Sequence, residues 1–171
     1  MTAPVLNLRG LLRGLHKHEV RYLVSGAMAM VFYGYVRNTE DLDLIVDPDP
    51  ENLDRVADWL TAAGATLRLN PMSSFSQRER TGLHRGAKVS VLTSLGQVDI
   101  DQQLPGLPEF SALAERAELY ETDGMKVPVL DRETLMALKR TRGSFLDRAD
   151  IEAIERIAGI PEAPEDADGY Y

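Results

Sequence analysis

The sequence predicts an α/β protein, a small mixed β-sheet flanked by helices and followed by further helices. Three observations predict it. Helical and strand periods alternate along residues 6–63, the stretch Asp41–Asp47 (DLDLIVD) alternates acidic with aliphatic residues, and the aliphatic runs Lys88–Thr93 and Gln97–Asp101 flank the tight turn Ser94-Leu95-Gly96.

Each element follows from its local pattern. Leu6–His18 places Leu8, Leu11, Leu12 and Leu15 on one helical face, with Arg9, Arg13 and Lys17 opposite. Val20–Ser25 (VRYLVS) reads as a buried strand, and AMAMVFYG after Gly26 as a short buried helix closed by Gly34. Arg37-Asn38-Thr39-Glu40 is a polar connection into the strand Asp41–Asp47, which Pro48 and Pro50 stop. Glu51–Ala63 repeats Leu53, Val56, Ala57 and Leu60 at helical spacing, and Trp59 is expected to pack in the core. Ala65–Leu69 is a short strand. Residues 70–86 read as a polar loop or hairpin, and residues 88–101 as a hairpin proper. Helices are expected near Pro108–Leu119 and Arg132–Arg140, separated by a strand at Lys126–Leu130, with a last helix over Asp147–Ala158.

Composition narrows the function. The 171 residues are 44% hydrophobic, enough for one compact core, so residues 1–160 are expected to form one domain. The tail 161–171 holds four acids, two prolines and no base, and is expected to be flexible. A net charge of −8, from 19 basic and 27 acidic residues, disfavours a general DNA-coating or membrane-surface protein. Without cysteine there is no disulfide, thiolate zinc site or cysteine nucleophile, and His16, His18 and His84 are too scattered for a zinc set. No stretch reaches the roughly 18 apolar residues of a membrane span, and no signal peptide opens the chain, so a soluble, cytoplasmic protein is expected.

Carboxylate pairs carry the chemistry. Asp-x-Asp occurs at Asp41/Asp43, Asp47/Asp49, Asp99/Asp101 and Asp166/Asp168. On a strand, acids at i and i+2 project from one face and can hold a hard cation. The pair at 47/49 is broken by proline and that at 166/168 lies in the acidic tail, whereas 41/43 and 99/101 sit among aliphatic residues, where a carboxylate is costly to desolvate without a metal or partner. If the two strands are neighbours, Asp41, Asp43 and at least one of Asp99 and Asp101 converge on a divalent cation. Mg²⁺ suits such a site together with substrate phosphates, which implies a nucleoside triphosphate (NTP) or another phosphate ester. Gly26-Ala27, where the first strand turns into a helix, would let phosphate approach the backbone. No Gly-x-Ser-x-Gly, P-loop or dinucleotide fingerprint is present.

The order strand, Gly26-Ala27, short helix, Arg37-Asn38-Thr39, Asp41-x-Asp43 and a later Asp99 resembles the nucleotidyltransferase superfamily related to DNA polymerase β. Within it, SGAMAMVFYGYVRNTEDLDLIV is similar to the small bacterial AbiEii/MenT-like proteins, whose pattern is Gly-Gly-x-Ala-x-x-x-His-Gly-x-x-Arg-x-Thr-x-Asp-x-Asp. Gly26, Ala29, Gly34, Arg37, Thr39, Asp41 and Asp43 match, and VPVLDRETLMALKRTRGSFLDRADIEAIERI resembles the family's C-terminal segment, so the likeness covers most of residues 20–157. The chain departs at Ala27, where relatives carry Gly or Ser, at Tyr33, where they carry His, and at Gly143-Ser144-Phe145-Leu146-Asp147, where many carry Gly-Arg-x-Lys-Asp.

The resemblance implies a nucleotidyltransferase fold whose C-terminal helices close the cleft. It also implies Mg²⁺-dependent transfer of a nucleoside monophosphate from an NTP to a hydroxyl of RNA, tRNA in particular, or of protein, in a toxin–antitoxin or phage-defence setting with a cognate antitoxin. Asp41, Asp43 and Asp99 are then the catalytic and metal-binding acids, Asp99 doubling as general base with Asp101 in reserve. Gly26, Ala27, Arg37 and Lys139 are the nucleotide-binding candidates. Arg78, Arg80, His84, Arg85 and Lys88 form a basic concentration where an RNA acceptor could lie. Two rivals stand beside this expectation: a catalytically degenerate member acting as a binding or regulatory partner, and a small-molecule nucleotidyltransferase of the antibiotic-modifying kind.

Overall fold

The computed structural model describes residues 5–35 and 39–158. The elements run α1 (Leu8–Lys17), β1 (Tyr22–Val24), α2 (Gly26–Phe32), β2 (Asp41–Val46), α3 (Pro50–Ala62), β3 (Thr66–Leu67), β4 (Asn70–Ser74), α4 (Gln77–His84), β5 (Val89–Thr93), β6 (Gly96–Asp101), α5 (Phe110–Arg116), β7 (Glu118–Thr122), β8 (Met125–Val129), α6 (Arg132–Arg142) and α7 (Phe145–Ala158). The expected tail at 161–171 lies outside the described residues, as does Arg37.

All eight strands form one mixed sheet in the order β4-β3-β5-β6-β2-β1-β8-β7. Strands β2 and β6 pair in parallel at its centre, β1 runs antiparallel to β2, and β8 adds in parallel to β1. The α/β expectation with a mixed sheet is met. Alternation along the central strands explains their burial: Leu42, Leu44, Val98 and Ile100 are at most 1% exposed on one face, leaving the intervening acids on the other.

Helix α1 begins at Asn7, whose side chain accepts from the Gly10 amide at 2.9 Å, and buries Leu11, Leu12 and Leu15 completely or nearly so. It packs on α3 through Gly14, where a β-carbon would stand 2.5 Å from Trp59 Nε1, and Trp59 is itself buried in the core as its spacing predicted. Asp49 caps α3 by accepting from the amides of Glu51 and Asn52.

Two stretches differ from the sequence reading. Residues 70–86, read as a polar loop or hairpin, hold β4, which does pair antiparallel with β3, and then a helix that was not expected: Ser76 and Glu79 form a reciprocal capping box that starts α4, which rests on the core through Leu83 alone. The helix expected to reach Leu119 ends at Arg116, because Ala117 turns extended and Glu118–Thr122 form β7, joined to β8 by a tight turn at Asp123-Gly124 with both residues in the left-handed region.

Candidate active site

Register builds the site. Asp43 of β2 lies directly opposite Asp99 of β6, Ser90 of β5 opposite Asp99, and the β1–β2 register continues to Ser25, whose amide donates to the Asp43 carbonyl at 3.0 Å. On the far side the β3–β5 register continues to Arg68, whose amide donates to the Ser90 carbonyl at 3.1 Å. Residues paired across a sheet share a face, so Ser25, Asp43, Asp99, Ser90 and Arg68 form one row over five strands. Asp41 lies two positions along β2 and therefore on the same face.

Each of Asp41, Asp43 and Asp99 offers a carboxylate oxygen within 4.8 Å of the other two, the convergence that the strand pattern predicted. Thr39 Oγ1 donates to Asp41 Oδ1 at 3.0 Å and fixes that carboxylate. Asp99 is 7% exposed, and its Oδ1 is buried without a hydrogen-bond partner. Leaving the buried Asp99 oxygen unsatisfied is costly, and a hard divalent cation among the three converging carboxylates would offset that cost, so the residues fit a metal of this class. Burial pushes the Asp43 carboxyl from 3.8 up to about 6, with the negative charges of Asp41 and Asp99 adding to the rise and Lys88 and Arg142 opposing it.

The triad opens into a cleft of about 530 Å³ that Ser25, Gly26, Arg68, Lys88, Asp101 and Arg142 help to line. Gly26 adopts φ +62°, and a β-carbon there would stand 2.6 Å from Asp43 Cγ. The missing side chain makes room for the Asp43 carboxylate, a role beyond the phosphate approach expected of it. Ala27 follows within α2 and is not among the residues lining the cleft. Asp101 pairs across the strands with Lys88, Nζ to Oδ2 at 3.1 Å.

Lys139 sits elsewhere than a phosphate-binding role would place it. It is 5% exposed, with Nζ 2.6 Å from Asp150 Oδ2 and 3.7 Å from Asp147 Oδ1, an ion cluster that ties α6 to α7. Arg142, at the end of the same helix, is the α6 cation that faces the cleft. Ser144, standing where many relatives carry Arg, takes part in a helix start instead: its hydroxyl donates to Asp147 Oδ2 at 2.6 Å and accepts from the Asp147 amide at 3.1 Å. The basic concentration on α4 is also partly spent, since Arg80 is bound by Asp54 and Asp58 at 2.8 Å each and His84 lies 3.1 Å from Asp54. Arg78 and Arg85 remain exposed. Sequence reasoning missed Arg68 and Ser25, because only the sheet register brings them to the acids.

Comparison with known proteins finds the same fold. The chain superposes on the lincomycin-bound lincosamide antibiotic adenylyltransferase LnuA with a TM-score of 0.63 at 17% identity, covering 88% of this chain and 96% of that one. An antigenic nucleotidyltransferase-like protein from Paracoccidioides brasiliensis gives 0.56 at 16% identity, covering 93% and 81%. The antibiotic-resistance factor ANT(2″)-Ia gives 0.53 at 12% identity, covering 88% and 80%. At these identities the likeness establishes the fold. No curated protein matches the sequence. The family model described as nucleotidyl transferase AbiEii toxin, type IV toxin–antitoxin system, matches residues 10–142, and with most of the sequence inside that match the chain belongs to the AbiEii family of nucleotidyltransferases.

Proposed function

We propose that this nucleotidyltransferase moves a nucleoside monophosphate from an NTP to a hydroxyl of RNA, with tRNA as the foremost acceptor, or of protein, and that it works in the cytoplasm as the toxin of a pair with a cognate antitoxin. The observation that carries the reading is the convergence of the Asp41, Asp43 and Asp99 carboxylates across adjacent strands, with Asp99 Oδ1 buried and without a hydrogen-bond partner. Asp41, Asp43 and Asp99 would hold Mg²⁺. The ion, when bound, supplies charge neutralisation at the phosphates and lowers the pKa of the attacking hydroxyl.

The chain's own residues do the remainder. Asp99, fixed in the sheet by its Ser90 and Asp43 neighbours, would orient the acceptor hydroxyl and take its proton. Lys88 and Arg142 offer positive charge to the leaving pyrophosphate from the cleft walls. Gly26 keeps Asp43 in reach of the triad. Among the described residues no helix is long and apolar enough to cross a membrane.

The test is incubation with each radiolabelled NTP, Mg²⁺, and either total RNA or RNA-free cell extract. Label is expected on tRNA with one NTP and is expected to vanish with Asp43→Ala. Label on protein alone selects the protein acceptor, and no Mg²⁺-dependent NTP binding at all would establish a degenerate member that serves as a binding partner.

A further inference from the structure

We propose that Arg68 guards the metal site and then binds substrate: its guanidinium neutralises Asp99 in the free protein and passes to the triphosphate when the metal–nucleotide complex enters. The proposal rests on the nucleotidyl-transfer reading above.

The row across the sheet supplies the geometry. Arg68 and Asp99 are separated by β5, two strand spacings of about 4.8 Å each, and the residue between them is Ser90, whose short side chain leaves the path clear. The Asp99 carboxylate is divided: Oδ2 lies 3.5 Å from Arg68 Nη1, whereas Oδ1 is the buried oxygen without a partner. One long contact from a side chain that is 47% exposed holds loosely, so the guanidinium is free to leave.

Charge supplies the direction. Asp41, Asp43, Asp99 and Asp101 face Arg68, Lys88 and Arg142 in one cleft, and Lys88 is already paired with Asp101. Two further positive charges arriving among Asp41, Asp43 and Asp99 repel a guanidinium beside Asp99, and a triphosphate is the group able to receive it, with two parallel N–H donors matched to phosphate oxygens. Arg68 therefore opposes the bare ion and favours the ion carrying nucleotide. This biases the site against idle metal and toward substrate.

The experiment is calorimetric titration of the full chain and of Arg68→Ala, first with Mn²⁺ alone and then with Mn²⁺ plus each of ATP, GTP, CTP and UTP, alongside thermal melts. The expected result is opposite in sign for the two ligands: Arg68→Ala binds Mn²⁺ more tightly than the natural chain but the preferred NTP on the order of tenfold more weakly, the size of one charge-assisted hydrogen bond. Arg68→Lys, which keeps the charge, is expected to restore the Mn²⁺ affinity and part of the NTP affinity. Weaker Mn²⁺ binding by Arg68→Ala would overturn the proposal, since Arg68 would then only orient Asp99. Undiminished NTP binding would overturn it as well while leaving nucleotidyl transfer intact. A natural chain that binds Mn²⁺ but none of the four NTPs would overturn both readings together.

Discussion

Gly26 and Asp43 occupy space that only a glycine can share with a carboxylate: a β-carbon at position 26 would press on Asp43 Cγ at 2.6 Å, and the backbone there is left-handed at φ +62°. Both constraints act on one residue. Gly26→Ala is expected to lower stability by about 1–3 kcal/mol through backbone strain and to weaken Mn²⁺ binding by displacing Asp43, as thermal melts and calorimetric titration would read.

Asp43 is held near two other acids, with its pKa raised from 3.8 to about 6, so the folded state favours its protonated form. The stability that this group permits is fully present below 3.8 and is lost as the pH rises through 6. Asp43→Asn mimics the neutral acid. In metal-free buffer the variant is expected to match the natural chain near pH 4 and to exceed it above pH 6, by up to about 3 kcal/mol, in urea unfolding followed across pH.

The same shift is expected to govern metal uptake at the proposed site. Divalent binding requires Asp43 ionised, so Mn²⁺ affinity is expected to rise between pH 5 and 7 with release of a proton at pH values near 6, measurable by calorimetry in buffers of different ionisation enthalpy. Affinity that stays flat over that range would show that Asp43 does not ligate the ion.

Lys139 and Arg142 share helix α6 but are expected to fail differently. Lys139→Met removes the centre of a buried ion cluster with Asp147 and Asp150 and is expected to cost about 3 kcal/mol in stability while leaving NTP affinity of the folded protein unchanged. Arg142→Ala is expected to leave the melting temperature in place and weaken NTP binding about tenfold.

On α4, Arg78 and Arg85 are exposed, while Arg80 is engaged with Asp54 and Asp58. Arg78→Glu with Arg85→Glu is expected to reduce labelling of an RNA acceptor, and to flatten its salt dependence, without changing NTP binding. An unchanged yield of labelled RNA would place the acceptor on another surface.

Legibility in the sequence followed the length scale of each feature. The acids of β2 and β6 were readable because strand alternation is local, and a resemblance singled out Asp99 over Asp101, but the side-by-side placement of Asp43 and Asp99 is a matter of register. Helix α4 was hidden because Leu83 is its one buried residue, too few to set a period, although Ser76 and Glu79 did mark its start. Strand β7 was hidden because its residues are at most half-buried, with Leu119 66% exposed, and only Asp123-Gly124 announced the hairpin. Arg68 carries no local signal at all, since its partner is 31 positions away in the chain.

The row that runs from Ser25 to Arg68 over five strands gathers its members out of order, and Asp99 is the last of them to be synthesised. A polypeptide still emerging from the ribosome, or one cut short before that point, carries two of the three acids with no neighbouring strand to complete them. Under the nucleotidyl transfer proposed above, a chain that ends before residue 99 is expected to be inactive, because the strand that brings the third acid beside the other two has not yet been made.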